Sequence, residues 1–499
     1  MKLNRLLVAA AAFVALESTA FASEDAHGVE AEPAWWLIAL FTLNGLVIWF
    51  FARRRYLVWK DGQLKPAFVE LQEFSSYLLA GTIIAQLWVH GDPTSYAATI
   101  HAVLFHTAWF DLDVTAHFLV NDVFMTLFFG IAAKELVEAT MKRDGALRGV
   151  KGLLPMMACL GGVIGPALVY QLICTKEMTG AWAIPCATDI AFAWLGARMI
   201  WGRTHPAVLF LLALAVADDF IGLGIIALFY PQRPFDFTGI LLLGFAMGLA
   251  FGMNRLVTRV RMFRHWAVYL VPGVICWFGL LTAGLHSALA LVFVVPFIPM
   301  AGRDAGIFME IEHERQRDLR QLYLLRAFSR SHPRADHVHE AFSDPMNEFE
   351  HATKPFVDMG LFFFGLANAG VAWWGQSSWS QNSWAVFLGL GIGKTLGITV
   401  LTVLGYWILN CTRHGGALPR NQETGEQLQW RDVPIIGLLG AMGFTVALFV
   451  AEAASGHASL KLGAIASFAY LVVAVIIGKT ILQRLRPNDR GSHPKTERP

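Results

Sequence analysis

Charge is what this chain lacks. Of its 499 residues, 15% are Asp, Glu, Lys or Arg and 56% are hydrophobic, whereas a soluble domain carries about 25% charged residues. A soluble enzyme or a solvated binding module is therefore a poor description. The net charge of +2 comes without a dense basic block, which gives nucleic-acid binding no footing. Cysteine is also sparse. Cys159, Cys174, Cys186, Cys276 and Cys411 include no CxxC pair, so neither a disulfide framework nor a metal site is implied, and buried or interfacial free thiols are expected. Period-2 alternation is missing from the apolar runs, which sets a β-barrel aside.

What is present is a series of apolar runs near 34–51, 76–90, 120–138, 151–173, 178–200, 206–230, 237–254, 266–283, 286–300, 355–375, 384–409, 433–453 and 460–482. Runs of about 20 residues match a bilayer core of roughly 30 Å. The expected fold class is an all-α polytopic membrane protein, and its 45 glycines let helices approach closely. Residues 1–22, with an apolar stretch and Ala20-Phe21-Ala22, fit a cleavable signal peptide. After it come an extra N-terminal helix and linker at 23–75, a membrane domain at 76–485 with a cytoplasmic insertion at 302–354, and a tail at 486–499. Arg53–Arg55, "MKRDGALRGVK", "NRLVTRVRMFRH", the insertion, "CTRHGGALPR" and "LQRLRPNDR" all fall on one side of this alternation. "SGHAS" and "GQSSWSQNS" fall on the other. That positive-inside bias places the first set in the cytoplasm and the protein in a bacterial inner membrane.

Two shorter stretches carry histidine. The outer segment 92–119, with alternation at "WFDLDVT", reads as a short strand or hairpin. His101, His106 and His117 are expected there as surface residues, not ligands. His332, His337 and His339 in the insertion are too loosely spaced for a metal site. The insertion's "IFMEIEHERQRDLRQLYLLRAFSR" is either an amphipathic helix on the anionic inner surface or a solvated linker helix.

Asp189, Asp218, Asp219 and Lys394 lie inside apolar runs. Each costs about 2.5–3.5 kcal/mol at mid-bilayer on insertion scales, so such residues pair or line a water path, and function is the default reading. Adjacent carboxylates in low dielectric cannot easily carry two charges and titrate as a coupled unit. Neighbours on a helix point about 100° apart, so one Asp can face an ion path while the other meets Lys394. Pro185 before Thr188-Asp189, and Gly440, Gly443 and Thr445 in a later run, are break signals. Asp189 would neutralise facing half-helix N-termini and Lys394 facing C-termini, with Thr188 and unwound carbonyls as oxygen ligands for a hard cation. One break toward each end of the chain is the pattern of inverted repeats.

"ATDIAF" (187–192), "ADD" (217–219), "GKTLGI" (393–398), "NDVFMTLFF" (121–129), "GGVIGPALVY" (161–170), "AGLHSALA" (283–290), "LANAGV" (366–371) and "GFTVALF" (443–449) together resemble the NhaA sodium/proton antiporters, in that family's order and over about 120–485. The resemblance implies an inverted-repeat antiporter fold with two discontinuous crossing helices around 178–200 and 433–453. Some 12 core transmembrane helices would be joined by the extra N-terminal one. It implies Asp219 as the main sodium and proton ligand, Asp218 as the second acid salt-bridged to Lys394, and Thr188 and Asp189 at the crossing. Sodium ligands would be Asp219, Asp218 and Thr188. Possession of both acids resembles the electrogenic branch, which extrudes sodium (or lithium) for protons and so regulates cytoplasmic pH and sodium. By position, pH-response candidates are Glu135, Glu350 and His351.

The chain departs from the family at Thr395, where proline is usual, at "LVEAT" after Glu135, which lacks the family's basic residues, and at Lys354, which replaces a histidine. The segments before 75 and at 302–345 have no family counterpart. Beyond the transported ions no cofactor is expected. Partners are the lipid bilayer and, through 92–119, a second copy of the chain. Lys394 is open to two roles, electrostatic partner or proton carrier. A sodium-coupled symporter of similar inverted-repeat fold is the alternative function. An intramembrane aspartyl protease has its two acids on separate helices, one in GxGD; this chain has no GxGD, and Asp218 and Asp219 are adjacent.

Overall fold

The computed structural model describes residues 76–107, 112–141, 147, 150–202, 205–257, 263, 265–300, 345–373, 379–411, 419 and 427–485. The expected signal peptide, the run at 34–51, residues 301–344 of the insertion and the tail from 486 lie outside them.

Helices α1 (Ser76–Gly91) and α2 (Pro93–Ile100) lead into an antiparallel hairpin, β1 (Val103–Thr107) with β2 (Leu112–Thr115). Asp92 caps α2. The Ser95 amide and the Thr94 hydroxyl hold its carboxyl below the usual carboxylate range. In the hairpin His106 sits opposite Asp113, with Nδ1 2.7 Å from the carboxylate. Then follow α3 (Ala116–Met141), α4 (Val150–Ile173), a bent pair α5 (Lys176–Cys186) and α6 (Ile190–Trp201), α7 (Pro206–Phe229) and α8 (Phe237–Leu256). The shorter α9 (Trp266–Thr282) and α10 (Ser287–Phe297) precede α11 (Pro345–Asn368) and α12 (Gln381–Cys411). A second bent pair, α13 (Asp432–Gly440) and α14 (Phe444–Ala454), and α15 (Ala458–Ile481) complete the order.

Every apolar run in the described residues overlaps one of these helices or bent pairs. Fewer pass as spans by length and composition: six helices among the described residues, or up to eight with the bent pairs. The shortfall has physical causes. α1 has only 16 residues, α9 and α10 are short, and α11 opens with Glu348, Glu350 and Lys354. α11 also starts at Pro345, so the last residues assigned to the insertion belong to a helix.

The helices sort into two packed groups. In one, α11 lies against α1 and α3, α3 against α10, and α8 against α9. In the other, α12 lies against α4, α13 and α15, while α7 packs on α4 and α6, and α15 on α6 and α14. α7 on α3 and α14 on α11 join the groups. The contact of α4 with α12 is backbone on backbone. A Cβ on Gly397 would stand 2.0 Å from the Gly161 carbonyl oxygen, and one on Gly165 2.2 Å from that of Gly393. Such glycine seams replace the hydrophobic driving force that lipid cannot supply.

Candidate ion-binding site

The site begins with two interrupted helices. Pro185 has no amide hydrogen and sits at the start of a single 3-10 turn, beyond which the chain leaves the helix. Ala187 and Asp189 are extended, at φ −75, ψ 149 and φ −93, ψ 104. The span bends by 52° there, and the α13/α14 span bends by 46° across Ala441–Gly443. The two breaks touch. The Asp189 amide donates to the Met442 carbonyl at 2.7 Å, and a Cβ on Gly443 would stand 2.7 Å from the Ala187 oxygen.

At such a crossing two N-termini and two C-termini converge in a space with little water, and each end carries orphan backbone groups. The N-termini meet on Asp189. Its carboxylate accepts from the Phe192 amide at 3.4 Å, from the Thr445 amide at 3.1 Å and from the Thr445 hydroxyl. The C-termini are met by Lys394 and Thr188. Lys394, fully buried at the end of a π-helical turn (Gly389–Lys394), donates to the Cys186 carbonyl. The Thr188 hydroxyl lies 3.2 Å from the Gly440 carbonyl.

Asp218 sits beside both. Its Oδ2 accepts from Lys394 Nζ at 2.6 Å and from the Thr188 hydroxyl at 2.5 Å, and the Cys159 thiol lies 3.7 Å from its Oδ1. Asp219, one residue on, is 9% exposed, and its Oδ1 is buried without a hydrogen-bond partner among the described residues. The helical offset thus gives the adjacent acids different surroundings: one held by three donors, from two helices and the α5/α6 break, the other with a bare oxygen. A buried carboxylate oxygen without a donor is costly and is relieved by a proton or a small cation. Asp189, Asp218, Asp219, Thr188 and Lys394 belong to one site. Thr188 is turned toward Asp218, and Asp219 lies beside it on α7.

The sequence reading missed a second buried lysine. Lys134 Nζ lies 2.5 Å from Glu350 and 3.0 Å from Glu138, and the charge of Glu135 bears on it. The stretch "LVEAT" after Glu135 has no basic residue, and Lys134, just before Glu135, supplies the cation of this cluster. Glu135 and Glu350 therefore share one cluster, while His351 is exposed. The signal was "KELVE" at the end of an apolar run, where charges read as loop. Two further polar pairs were missed. The Ser287 hydroxyl donates to Asp122 at 2.6 Å, and Asn368 donates to Asn121 at 2.9 Å. Asn121 and Asp122 lie in a second π-helical turn, Leu119–Phe124, a geometry that turns side chains off the regular face and recurs at functional sites.

His117 corrects an expectation. Unlike exposed His106, it is half-buried, with Nε2 3.1 Å from Glu452. All five cysteines are free, with Cys159, Cys186 and Cys276 buried, Cys174 intermediate and Cys411 exposed.

Residues 67–482 match the family model described as Na+/H+ antiporter 1. Among curated proteins, Na(+)/H(+) antiporter NhaA 2 of Pelobacter propionicus is 40% identical over 422 residues, covering 82% of this chain and 97% of that relative. The NhaA antiporter of Geobacter metallireducens is 39% identical over 84% of this chain and 98% of its own length. That of Geobacter sulfurreducens is 38% identical over the same shares.

Proposed function

The chain belongs to the Na+/H+ antiporter 1 family, and from that premise we propose that it exchanges sodium for protons through Asp219. The observation that carries this reading is the buried Oδ1 of Asp219, which has no hydrogen-bond partner among the described residues although a second acid, itself paired with a lysine, is its neighbour in the chain. A proton or a sodium ion satisfies that oxygen, and the two compete for it, so exchange needs no separate coupling device. Lithium, a harder ion of the same charge, fits the same oxygen chemistry. Asp218 and Thr188 are the further sodium ligands in this reading. Asp218 becomes available when it parts from Lys394, and that exchange of partners would let more than one proton move per cycle.

Alternating access moves one part of a transporter against another around a fixed site. The touching breaks near each end of the membrane domain support the inverted-repeat arrangement of some 12 core helices, preceded by one more. The loop charges support a multi-pass inner-membrane protein that takes sodium from the cytoplasm and releases it outward, regulating internal pH and sodium. The Lys134, Glu135, Glu138 and Glu350 cluster, with His351 at its edge, is the proposed pH-response region. The β1–β2 hairpin, which presents exposed Val103 and Phe105, is the proposed contact with a second copy of the chain.

Asp219→Asn tests the reading. The amide keeps the shape but cannot exchange a proton, so sodium-driven proton release in vesicles disappears while the protein still inserts. Near-normal exchange in this variant would remove Asp219 from the mechanism.

A further inference from the structure

Away from the ion site, one ion pair among the described residues joins the two packed groups of helices. His117, at the start of α3, belongs to the group with α1 and α11. Glu452, near the end of α14, belongs to the other. Nε2 of His117 lies 3.1 Å from Glu452 Oε1, and Lys461 on α15 pairs with Glu452 Oε2. His101, just past α2, places its ring 5.3 Å from that of His117. Nε2 of His117 also lies 2.9 Å from the Asn121 amide.

We infer that His117 and Glu452 form a separable latch at the outer mouth, closed when the ion site faces the cytoplasm and broken when it opens outward. Three features support this. First, α14 is the limb whose other end, at Thr445, donates to Asp189, so holding Glu452 holds one wall of the ion site. Second, the pair can part without stranding a charge. α14 and α15 pack together, so Lys461 keeps the Glu452 carboxylate paired when His117 leaves, while His117 gives its proton to water and parts as a neutral imidazole, to whose Nε2 the Asn121 amide on α3 donates. A buried pair lacking such spare partners leaves a costly unpaired ion when it breaks. Third, the neighbouring contact between α14 and α3 is made by ring faces and edges without a hydrogen bond or charge pair among the described residues. Phe449, one turn before Glu452, meets Phe129 of α3 at 4.9 Å and the His286 ring at 4.6 Å. Such faces slide, and a directional pair gives the sliding surfaces a fixed stop. The loop after α14, "SGHAS", is on the outer side by the charge bias of the loops.

This latch rests on the antiporter reading, and the experiment separates the two. Full-length protein carrying His117→Cys and Glu452→Cys is reconstituted and cross-linked with a short bifunctional methanethiosulfonate, with each single variant as a control for the native thiols. Cross-linking is read by mobility on a gel and exchange by sodium-driven dissipation of a pH gradient. The expected result is exchange in the reduced double variant, a fall of about tenfold or more on cross-linking, as for a gating contact that must open each cycle, and recovery on reduction. Cross-linked protein that exchanges at the reduced rate overturns the latch. Absence of exchange in the unmodified chain would instead overturn the antiporter reading. His117→Gln, which keeps polarity but drops the charge, gives the second measurement. The latch requires its maximal rate to match or exceed the wild type, and a well-inserted variant without exchange overturns it.

Discussion

The break between α5 and α6 and that between α13 and α14 bend their spans by 52° and 46°, yet they contribute different chemistry. The first carries Pro185, Thr188 and Asp189. The second, Gly440 to Gly443, brings no ionisable side chain and offers the Gly440 and Met442 carbonyls. One break supplies side chains and the other supplies backbone, and each completes the other. A carboxylate on both sides would set two like charges in one dry crossing, and glycine on both sides would leave the helix ends unmet. The division of labour gives the crossing one charged group and a backbone frame around it.

The largest effect that breaks this arrangement belongs to Asp189. Asp189→Ala strips the Phe192 and Thr445 amides and the Thr445 hydroxyl of their acceptor. With buried orphans at about 1–3 kcal/mol each, a loss of about 3–5 kcal/mol is expected. Thermal unfolding in detergent reads it, and wild-type stability would mean that the crossing is held by something other than convergence on Asp189. Gly443→Ala comes next. Its Cβ meets the Ala187 carbonyl at 2.7 Å, and overpacking of this kind costs about 1–3 kcal/mol. Alanine at Gly222 or Gly224 of α7, where nothing lies within 4 Å, is the matched control and leaves stability unchanged or slightly raised. An equal loss in the control would mean that helix propensity, not the crossing, is being measured. The smallest effect is Thr445→Val, which removes one hydroxyl and keeps the amide on Asp189, for about 1 kcal/mol. A loss matching that of Asp189→Ala would transfer the weight of the second break from backbone to side chain.

The spans were legible because lipid demands long apolar runs, and the breaks because Pro185 and the paired glycines cannot be hidden in them. Asp218, Asp219 and Lys394 stood out for the same reason: a charge in the middle of such a run is conspicuous. Lys134 and Glu452 did not, since a charge near the end of a run reads as loop until a partner more than two hundred residues away, such as Glu350 for Lys134 or His117 for Glu452, is brought beside it. His117 misled for a related reason, because whether an imidazole is at the surface depends on tertiary neighbours. The π-helical turns at Leu119–Phe124 and Gly389–Lys394 left no trace in the apolar period, which does not register one extra residue in a turn.

The glycine seam between α4 and α12 has a mechanical consequence. Backbones that touch at Gly161 and Gly397, and again at Gly165 and Gly393, have no layer of side chains to shear, and Lys394 adjoins one of those contacts. The seam is a weld. Lys394 and Cys159 are carried on its two sides, so both reach Asp218 of α7 from one stiff pair of helices. Around Phe449, by contrast, the two packed groups of helices meet through large aromatic side chains, so the two kinds of contact differ in how much side-chain layer lies between the backbones.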